Sequence, residues 1–521
     1  MGARAQPVSR TTQFFGAAAL LIVAALVLAP VLALLSKATF GSGWAVSAWP
    51  SIRFTLFQAG LSALISVAVA VPLARALMRR RFVGREIMIS LLGAPFLLPS
   101  IVAVLGLLAI WGRSGIVSDA LDALGLGPLD IYGLNGVVLA HVFFNLPLAA
   151  RMLLQGWQAV PAEQFQLAAQ LGLTPRARSR LIEMPVLRGA APSALLVIFM
   201  LCMSSFAVAL ALGGGPKSST IELAIYQALR FEFDLAAAAQ LAIVQLAIGL
   251  AAATFAFRFA KTTRFGGSLG GPARHWDSGP ASRITDALTL GAAAIFILLP
   301  LFAILAKGIS GLAPGLPPGM LAAWGISVAI ALASTALALT LALSIAHLVD
   351  SSRYGSRIEA FVLLLLATSP FVIGTGLFIL ITPFVSPFAL ALPITALVNA
   401  ALALPLMLRI IRPALGRVRA NYGALADGLG LAGWSRFKLL TWPQIRPELG
   451  FAAGLAAALS MGDLGVITLF APPDTQTLPL LMYRQMGSYR MDAAAGTALI
   501  LVASSFALFY LFDKGGRRAG T

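Results

Sequence analysis

Gln166-Leu167-Ala168-Ala169-Gln170-Leu171-Gly172, with Ile182-Glu183-Met184-Pro185 following after nine intervening residues, decides how this chain is read. The segment has a twin. Ala424-Leu425-Ala426-Asp427-Gly428-Leu429-Gly430 is followed, after the same interval, by Leu440-Thr441-Trp442-Pro443. The copies align without a gap at a spacing of 258 residues, and 15 of the 43 pairs from Leu146/Leu404 to Arg188/Arg446 are identical. Self-similarity of this kind marks a duplicated unit. Both copies are polar, basic islands in a chain that is otherwise apolar.

The 521 residues are 59% hydrophobic and 11% charged. Soluble proteins carry roughly 25% charged residues, so the composition is that of a polytopic membrane protein with the lipid bilayer as its solvent. The net charge of +18 does not call for a nucleic-acid partner. Membrane orientation itself requires an excess of cytoplasmic Lys and Arg. A lone cysteine, Cys202, excludes an intramolecular disulfide, and three dispersed histidines give no metal-ligand cluster.

Apolar runs predict an all-α fold of about twelve spans: 14–35, 54–77, 86–111, 134–154, 189–212 and 235–257, then 284–306, 321–348, 358–384, 386–409, 449–470 and 493–512. The chain divides into a first half, 1–257, with an island near 160–188, and a second half, 284–521, with an island near 418–446. Between them, 258–283 is rich in Gly, Ser, Pro and basic residues and reads as a cytoplasmic linker. With both termini cytoplasmic, inner segments, counting Arg75, Arg151 and Arg409 at the inner ends of their spans, hold 29 of the 37 Lys and Arg and outer segments hold 8. That bias orients the chain and puts both islands on one face. Trp44 and Trp49 fall in the first outer loop as interface anchors.

Within 160–172, Phe165, Ala168, Ala169 and Leu171 recur at near-helical spacing. Pro161 suits the first turn and Gly172 the C-terminal stop. A second short helix from Pro175 would turn Arg176, Arg178 and Arg180 to water before Pro185 ends it. Each island then becomes a helix-turn-helix lying across the membrane face. The plainer alternative, a solvated basic loop that only fixes topology, does not require matched Gly and Pro positions in two copies.

Three further features stand out. Asp463 lies inside an apolar span, where a carboxylate costs about 3 kcal/mol, so it must face a partner, water or a translocation path. His141 and Asn145 stand about one turn apart on another span, as candidates for a pathway or for helix–helix hydrogen bonds. Gly213-Gly214-Gly215-Pro216-Lys217-Ser218 lacks the spacing of a phosphate loop and is read as an outer loop, with a counterpart at Ala471–Gln476. No nucleophile–base set is present, so the chain itself is not read as an enzyme.

The frame of the islands, a Gly, nine residues, then a short apolar stretch ending in Pro, resembles the membrane subunits of ATP-binding-cassette importers. Two fused six-span halves are similar to the permeases of ferric-iron and thiamine uptake systems. The runs Thr220-Ile221-Glu222-Leu223-Ala224-Ile225-Tyr226-Gln227 and Gly462-Asp463-Leu464-Gly465-Val466-Ile467 look most like the thiamine and thiamine pyrophosphate permeases of Gram-negative bacteria. The resemblance implies a type I importer permease in the bacterial inner membrane. It implies that Gln166, Ala168, Ala169, Gly172 and Pro185, with Ala424, Ala426, Gly430 and Pro443, form coupling helices that dock on a cytoplasmic ATPase. Two copies of that subunit would carry ATP and Mg, with no cofactor in this chain. It also implies a periplasmic substrate-binding protein, for which Gly214, Gly215, Lys217 and Asp474 are candidate contacts. Asp463, His141 and Asn145 are candidates for the pathway. The motif's usual Glu is Gln166 in one copy and Ala424 in the other. Ferric-iron or polyamine import is the alternative within the class, and a twelve-span ion-coupled transporter the alternative outside it.

Overall fold

A computed structural model describes residues 10–39, 41, 44–215, 218–259, 279–431 and 433–517. Among them every regular element is a helix. Eleven helices are long and apolar enough to cross a membrane, and Pro370–Ile381 is a shorter apolar helix in the ninth expected span. The linker 258–283 falls largely outside the described residues. The expected outer loop holding Trp44 and Trp49 is corrected: both tryptophans lie in the Trp44–Arg79 helix.

The third and ninth spans are broken, and proline is the cause. A residue before proline is pushed out of the α region. Leu98 before Pro99 has ψ 125° and Ser369 before Pro370 has ψ 148°. Ser100–Trp111 and Pro370–Ile381 are the helices that resume after these breaks. Ser369 compensates at its break by accepting the Phe371 N–H on its hydroxyl at 3.1 Å.

The described chain packs as two compact units: Met1–Phe40, Ile225–Ala247 and Gly308–Thr521 in one, Gly41–Ala224 and Ile248–Lys307 in the other. These are not the two sequence halves, because each unit takes its first helix from the opposite half. In one, Arg10–Lys37 lies along Met320–Ser351 and Pro370–Ile381. In the other, Phe296 of the Pro280–Leu312 helix packs edge-on against Trp111 and Phe143.

A matched pair of glycines fixes both placements. A Cβ on Gly376 would stand 2.5 Å from the Cβ and the carbonyl oxygen of Pro30, and one on Gly106 would stand 2.9 Å from the Pro300 carbonyl oxygen. Both pairs are 270 residues apart. Each proline lies inside its helix, with its turn seated against a residue that has no side chain. At the start of Pro280–Leu312, buried Asp286 adds a charged anchor, pairing with Arg79 and with Arg80 Nε at 2.6 Å.

Gly376→Ala is expected to cost about 1–3 kcal/mol by overpacking this contact. Gly325→Ala, in an open part of the Met320–Ser351 helix, is the control and should be neutral or slightly stabilising. Thermal unfolding in detergent separates the two, and equal shifts would show that the close approach holds nothing.

Candidate functional site

The first island begins where Leu134–Gln158 stops. Pro161, at φ −57° and ψ 145°, turns the chain, and Ala162–Gln170 follows as a separate helix. Gly172 ends it in the left-handed conformation at φ +62°. Leu173 N–H bonds the Ala168 carbonyl at 3.0 Å and Gly172 N–H bonds that of Ala169 at 3.1 Å. The second island repeats the stop: Gly430 has φ +66°, Leu431 N–H bonds the Ala426 carbonyl at 2.9 Å, and Gly430 N–H that of Asp427 at 3.2 Å. This paired bonding satisfies carbonyls that a helix end otherwise leaves open.

Beyond each stop stands a short helix and then a π turn, Ser179–Glu183 in one copy and Phe437–Thr441 in the other, again 258 residues apart. Pro185 and Pro443 follow in the first turns of Met184–Met203 and Trp442–Met461. The expectation that Pro185 ends a helix is therefore corrected: the chain stays helical from Pro175 to Met203, and the π turn just before the proline accommodates the bond that its missing N–H cannot make. Arg178 is also corrected. It is buried, whereas Arg176 and Arg180 face water as expected. Glu183, buried in the π turn, accepts from Arg75 Nη2 at 3.2 Å, with Arg75 Nε 2.8 Å from its other oxygen, and this ion pair ties the turn to the Trp44–Arg79 helix.

The islands are seated differently. Arg419 stands where the first copy has Pro161, so nothing interrupts the second, and Ala391–Gly428 runs unbroken for 38 residues. A separate island helix, Ala162–Gln170, is thus found only in the first copy. That copy rests on an apolar cluster of Met78, Leu153, Leu154, Trp157, Phe165 and Ile182. The second is held by ions. Arg412 pairs with Asp350 and Glu359, Arg419 donates to the Asp350 carbonyl at 3.2 Å, and Arg436 bonds Asp427 at 2.8 Å.

The candidate residues of the islands divide by face. Ala168 and Ala426 are buried, whereas Gln166, Ala169, Ala424, Gly172, Gly430, Pro185 and Pro443 are exposed. The docking set read from the sequence left out the exposed leucines beside them: Leu171, noted there only for its helical spacing, and Leu167, Leu425 and Leu429. Their i, i+4 spacing, kept in both copies, was the available signal.

The fifth and eleventh spans are both interrupted, at Ser204–Ser205 and at Gly462–Leu464. Asp463 therefore sits between two helices, not inside one. Its Oδ1 accepts the N–H groups of Gly465 at 3.1 Å and Val466 at 3.3 Å, and its buried Oδ2 makes neither of these bonds, with the Asn399 side chain beside the carboxylate. In the same unit, Ser334 and Asn399 both bond Ser460 Oγ, at 2.8 and 3.0 Å.

The 258-residue shift carries Asn399, Ser460 and Asp463 onto His141, Cys202 and Ser205. In the other unit His141 Nδ1 meets Ser62 Oγ at 3.4 Å. Asn145 donates to the His141 carbonyl at 2.9 Å and to Cys202 Sγ at 3.3 Å. His141 and Asn145 thus make bonds within and between helices. Extending the repeat beyond the islands would have found this second polar set.

Outside the breaks, Gly214 is left-handed at φ +71° and lies against Tyr132 and Gly133. Gly215 has φ +120°, Asp474 is exposed, and Lys217 lies outside the described residues. The helices after these loops are capped from matched places: Thr55 Oγ1 accepts the Ile221 N–H and Ser327 Oγ the Leu478 N–H, both at 2.8 Å. Among the described residues no group of His, Cys, Asp and Glu is arranged to hold a metal.

The chain is similar to proteins described as "Thiamine transport system permease protein ThiP". It is 38% identical to that of Brucella abortus over 475 residues, 89% of this chain and 87% of the relative. It is 40% identical to that of Salmonella typhimurium over 483 residues, 91% and 90% of the two chains. With that of Escherichia coli K12, the identity is 39% over 99% of this chain and 98% of the relative. No family model matches the chain.

The capping geometry makes a prediction about Asp463. Asp463→Asn keeps an oxygen for the Gly465 and Val466 N–H groups and should leave the unfolding midpoint nearly unchanged. Asp463→Ala removes the cap and should cost about 1 kcal/mol. A midpoint unmoved by the Ala variant would remove the cap from the account.

Proposed function

Since the chain belongs to the family of thiamine transport system permease proteins, we propose that it forms the membrane path of an ATP-driven, binding-protein-dependent importer for thiamine and its phosphates. The observation that carries the proposal is the duplicated island: two helices with the same left-handed glycine stop, the same π turn and the same exposed leucine pair. Sockets on two copies of a cytoplasmic ATPase, which bind ATP and Mg, are the partners that such a repeat suits. The exposed faces of Gln166, Leu167, Ala169 and Leu171, and of Ala424, Leu425 and Leu429, make the contact. Gly172 and Gly430 fix the ends, while Ala168 and Ala426 seat the helices from within. ATP hydrolysis belongs to those subunits.

Both termini, the linker and the islands face the cytoplasm in this reading, and the membrane is the bacterial inner membrane. A periplasmic binding protein delivers substrate to the opposite face, at the loops containing Gly214, Gly215, Lys217 and Asp474. Closure of the ATPases pulls on the islands. Through Glu183–Arg75 and the helices after the π turns, that motion reaches the breaks at Ser204–Ser205 and Gly462–Leu464. Binding at one face then biases a two-state equilibrium at the other.

Asp463 meets the thiazolium cation with the oxygen its cap leaves over. His141 and Asn145 support the path from within the protein. An ion-coupled transporter would have no use for two matched docking helices.

Uptake of thiamine, its phosphates, ferric iron and polyamines, measured in parallel with the cognate binding protein, tests the substrate. Thiamine compounds should be carried, and transport of iron alone would overturn the choice. Asp463→Asn should lower thiamine uptake about tenfold, equivalent to about 1.4 kcal/mol. Uptake unchanged in this variant would free the carboxylate of that role. Gly172→Ala and Gly430→Ala, each straining the backbone by about 1–2 kcal/mol, should uncouple ATP hydrolysis from transport more than Gln166→Ala does. Equal effects from all three would remove the helix ends from the coupling.

A further inference from the structure

Two tyrosines and two arginines that the proposed mechanism does not use come together in the unit formed by Met1–Phe40, Ile225–Ala247 and Gly308–Thr521. Tyr226 lies near the end of the Ile221–Gln227 helix, and Arg230 lies in the π turn Ala228–Glu232 that continues it. Tyr483 and Arg484 lie in Leu478–Gly487, which occupies the equivalent place in the other sequence half. Arg230 Nη2 donates to the Ala471 carbonyl at 3.3 Å and Arg484 Nη1 to the Pro473 carbonyl at 2.8 Å, so both guanidinium groups border one loop. Arg230 also bonds the Tyr226 hydroxyl and lies over the Phe388 ring at 5.2 Å. Tyr226 in turn meets Phe231 edge-on at 5.6 Å.

The position of Arg230 is set by one extra residue. Phe233 and Tyr489, both left-handed at φ 55° and 58°, end the two segments at equivalent points. Six residues separate Tyr226 from Phe233, but five separate Tyr483 from Tyr489. The first copy absorbs the additional residue as the π turn, with Asp234 N–H reaching back to the Ala228 carbonyl at 2.9 Å. One added residue turns the preceding helix by about 100° relative to the chain beyond it. The second copy has no such turn, so the arginines come from unmatched positions and still meet.

No carboxylate lies within ion-pair distance of Arg230 or Arg484 among the described residues. Both are half-buried. Burial first, and then the charge of Arg230, hold the Arg484 guanidinium below its usual value, while exposed Asp474 acts in the opposite sense. Two like charges brought together out of water are unfavourable unless an anion joins them. Each guanidinium has five N–H donors and spends only one or two on the contacts above. In the proposed orientation both belong to the outer segments, where basic residues are scarce and topology does not ask for them. A thiazolium cation would be repelled here, whereas a phosphate ester would be drawn in, and guanidinium pairs match phosphate oxygens in geometry as well as charge.

We propose that Arg230 and Arg484, flanked by Tyr226 and Tyr483, form an anion subsite that takes the phosphate or pyrophosphate group of a phosphorylated thiamine. The proposal rests on the reading of the chain as a thiamine permease, and two measurements keep them apart. The first titrates the chain, assembled with its ATPase in lipid nanodiscs, with inorganic pyrophosphate. The wild type should bind, and Arg230→Gln and Arg484→Gln should each weaken binding about tenfold, with Arg484→Lys in between, as expected for loss of charge-assisted hydrogen bonds. The second measures the uptake ratio of thiamine pyrophosphate to thiamine, which should fall by a similar factor in the Gln variants.

Pyrophosphate binding unaltered in the double Gln variant, or an unchanged uptake ratio in that variant where the wild type carries both compounds, would overturn the subsite and leave the permease reading standing. A wild type that carries no thiamine compound but loses pyrophosphate binding on substitution would overturn the substrate and leave the anion site standing.

Discussion

The carboxylate of Asp463 accepts two backbone N–H groups where an apolar helix is interrupted, and the same requirement recurs through the protein. A helix broken at membrane depth releases donors that lipid cannot satisfy. Several breaks carry their own oxygen. Ser369 caps Pro370–Ile381, Thr55 receives the Ile221 N–H, and Ser327 receives that of Leu478. Asp463 is the one carboxylate among these caps, and its second oxygen makes neither cap bond. A carboxylate is more than capping needs, and the proposed contact with a cationic substrate starts from that excess.

The duplication is kept where shape matters and relaxed where only attachment does. Glycine stops, π turns, first-turn prolines and the Gly–Pro contacts recur at fixed spacings. The seating of the islands does not. One is a separate helix on an apolar bed, and the other is the end of an unbroken helix held by Arg412, Arg419 and Arg436. Ion pairs of this partly exposed kind are weak and salt-sensitive, whereas the buried bed is not. The two islands thus carry the same stop and turn on supports of different stiffness.

Much of this was legible in the sequence. The islands were visible because polar residues in an apolar chain carry information, and Gly172 and Gly430 fell where helix-stop chemistry places them. The difference between the islands was present in the alignment as Pro161 against Arg419, although Pro405 and Pro413 lie inside the unbroken helix and show that a proline by itself does not decide a break. The exchange of first helices was not legible. Apolar runs resemble one another, and the choice of neighbour rests on Gly106 and Gly376, which look unremarkable until their partners are known. The place of Asp463 was half legible: Gly462 and Gly465 hinted at unwinding, but only the backbone shows that its oxygen is a cap. Burial of Arg178 was hidden, because a basic residue in a basic island looks solvated.

The central claim is that ATP, spent on a separate subunit, drives thiamine through this chain by way of the two islands. Proteoliposomes containing the chain, its cognate ATPase and its binding protein give the most direct measurement. Thiamine accumulation should require all three proteins and internal ATP, and should not respond to an imposed proton or sodium gradient. Accumulation driven by such a gradient without ATP or ATPase would contradict the account.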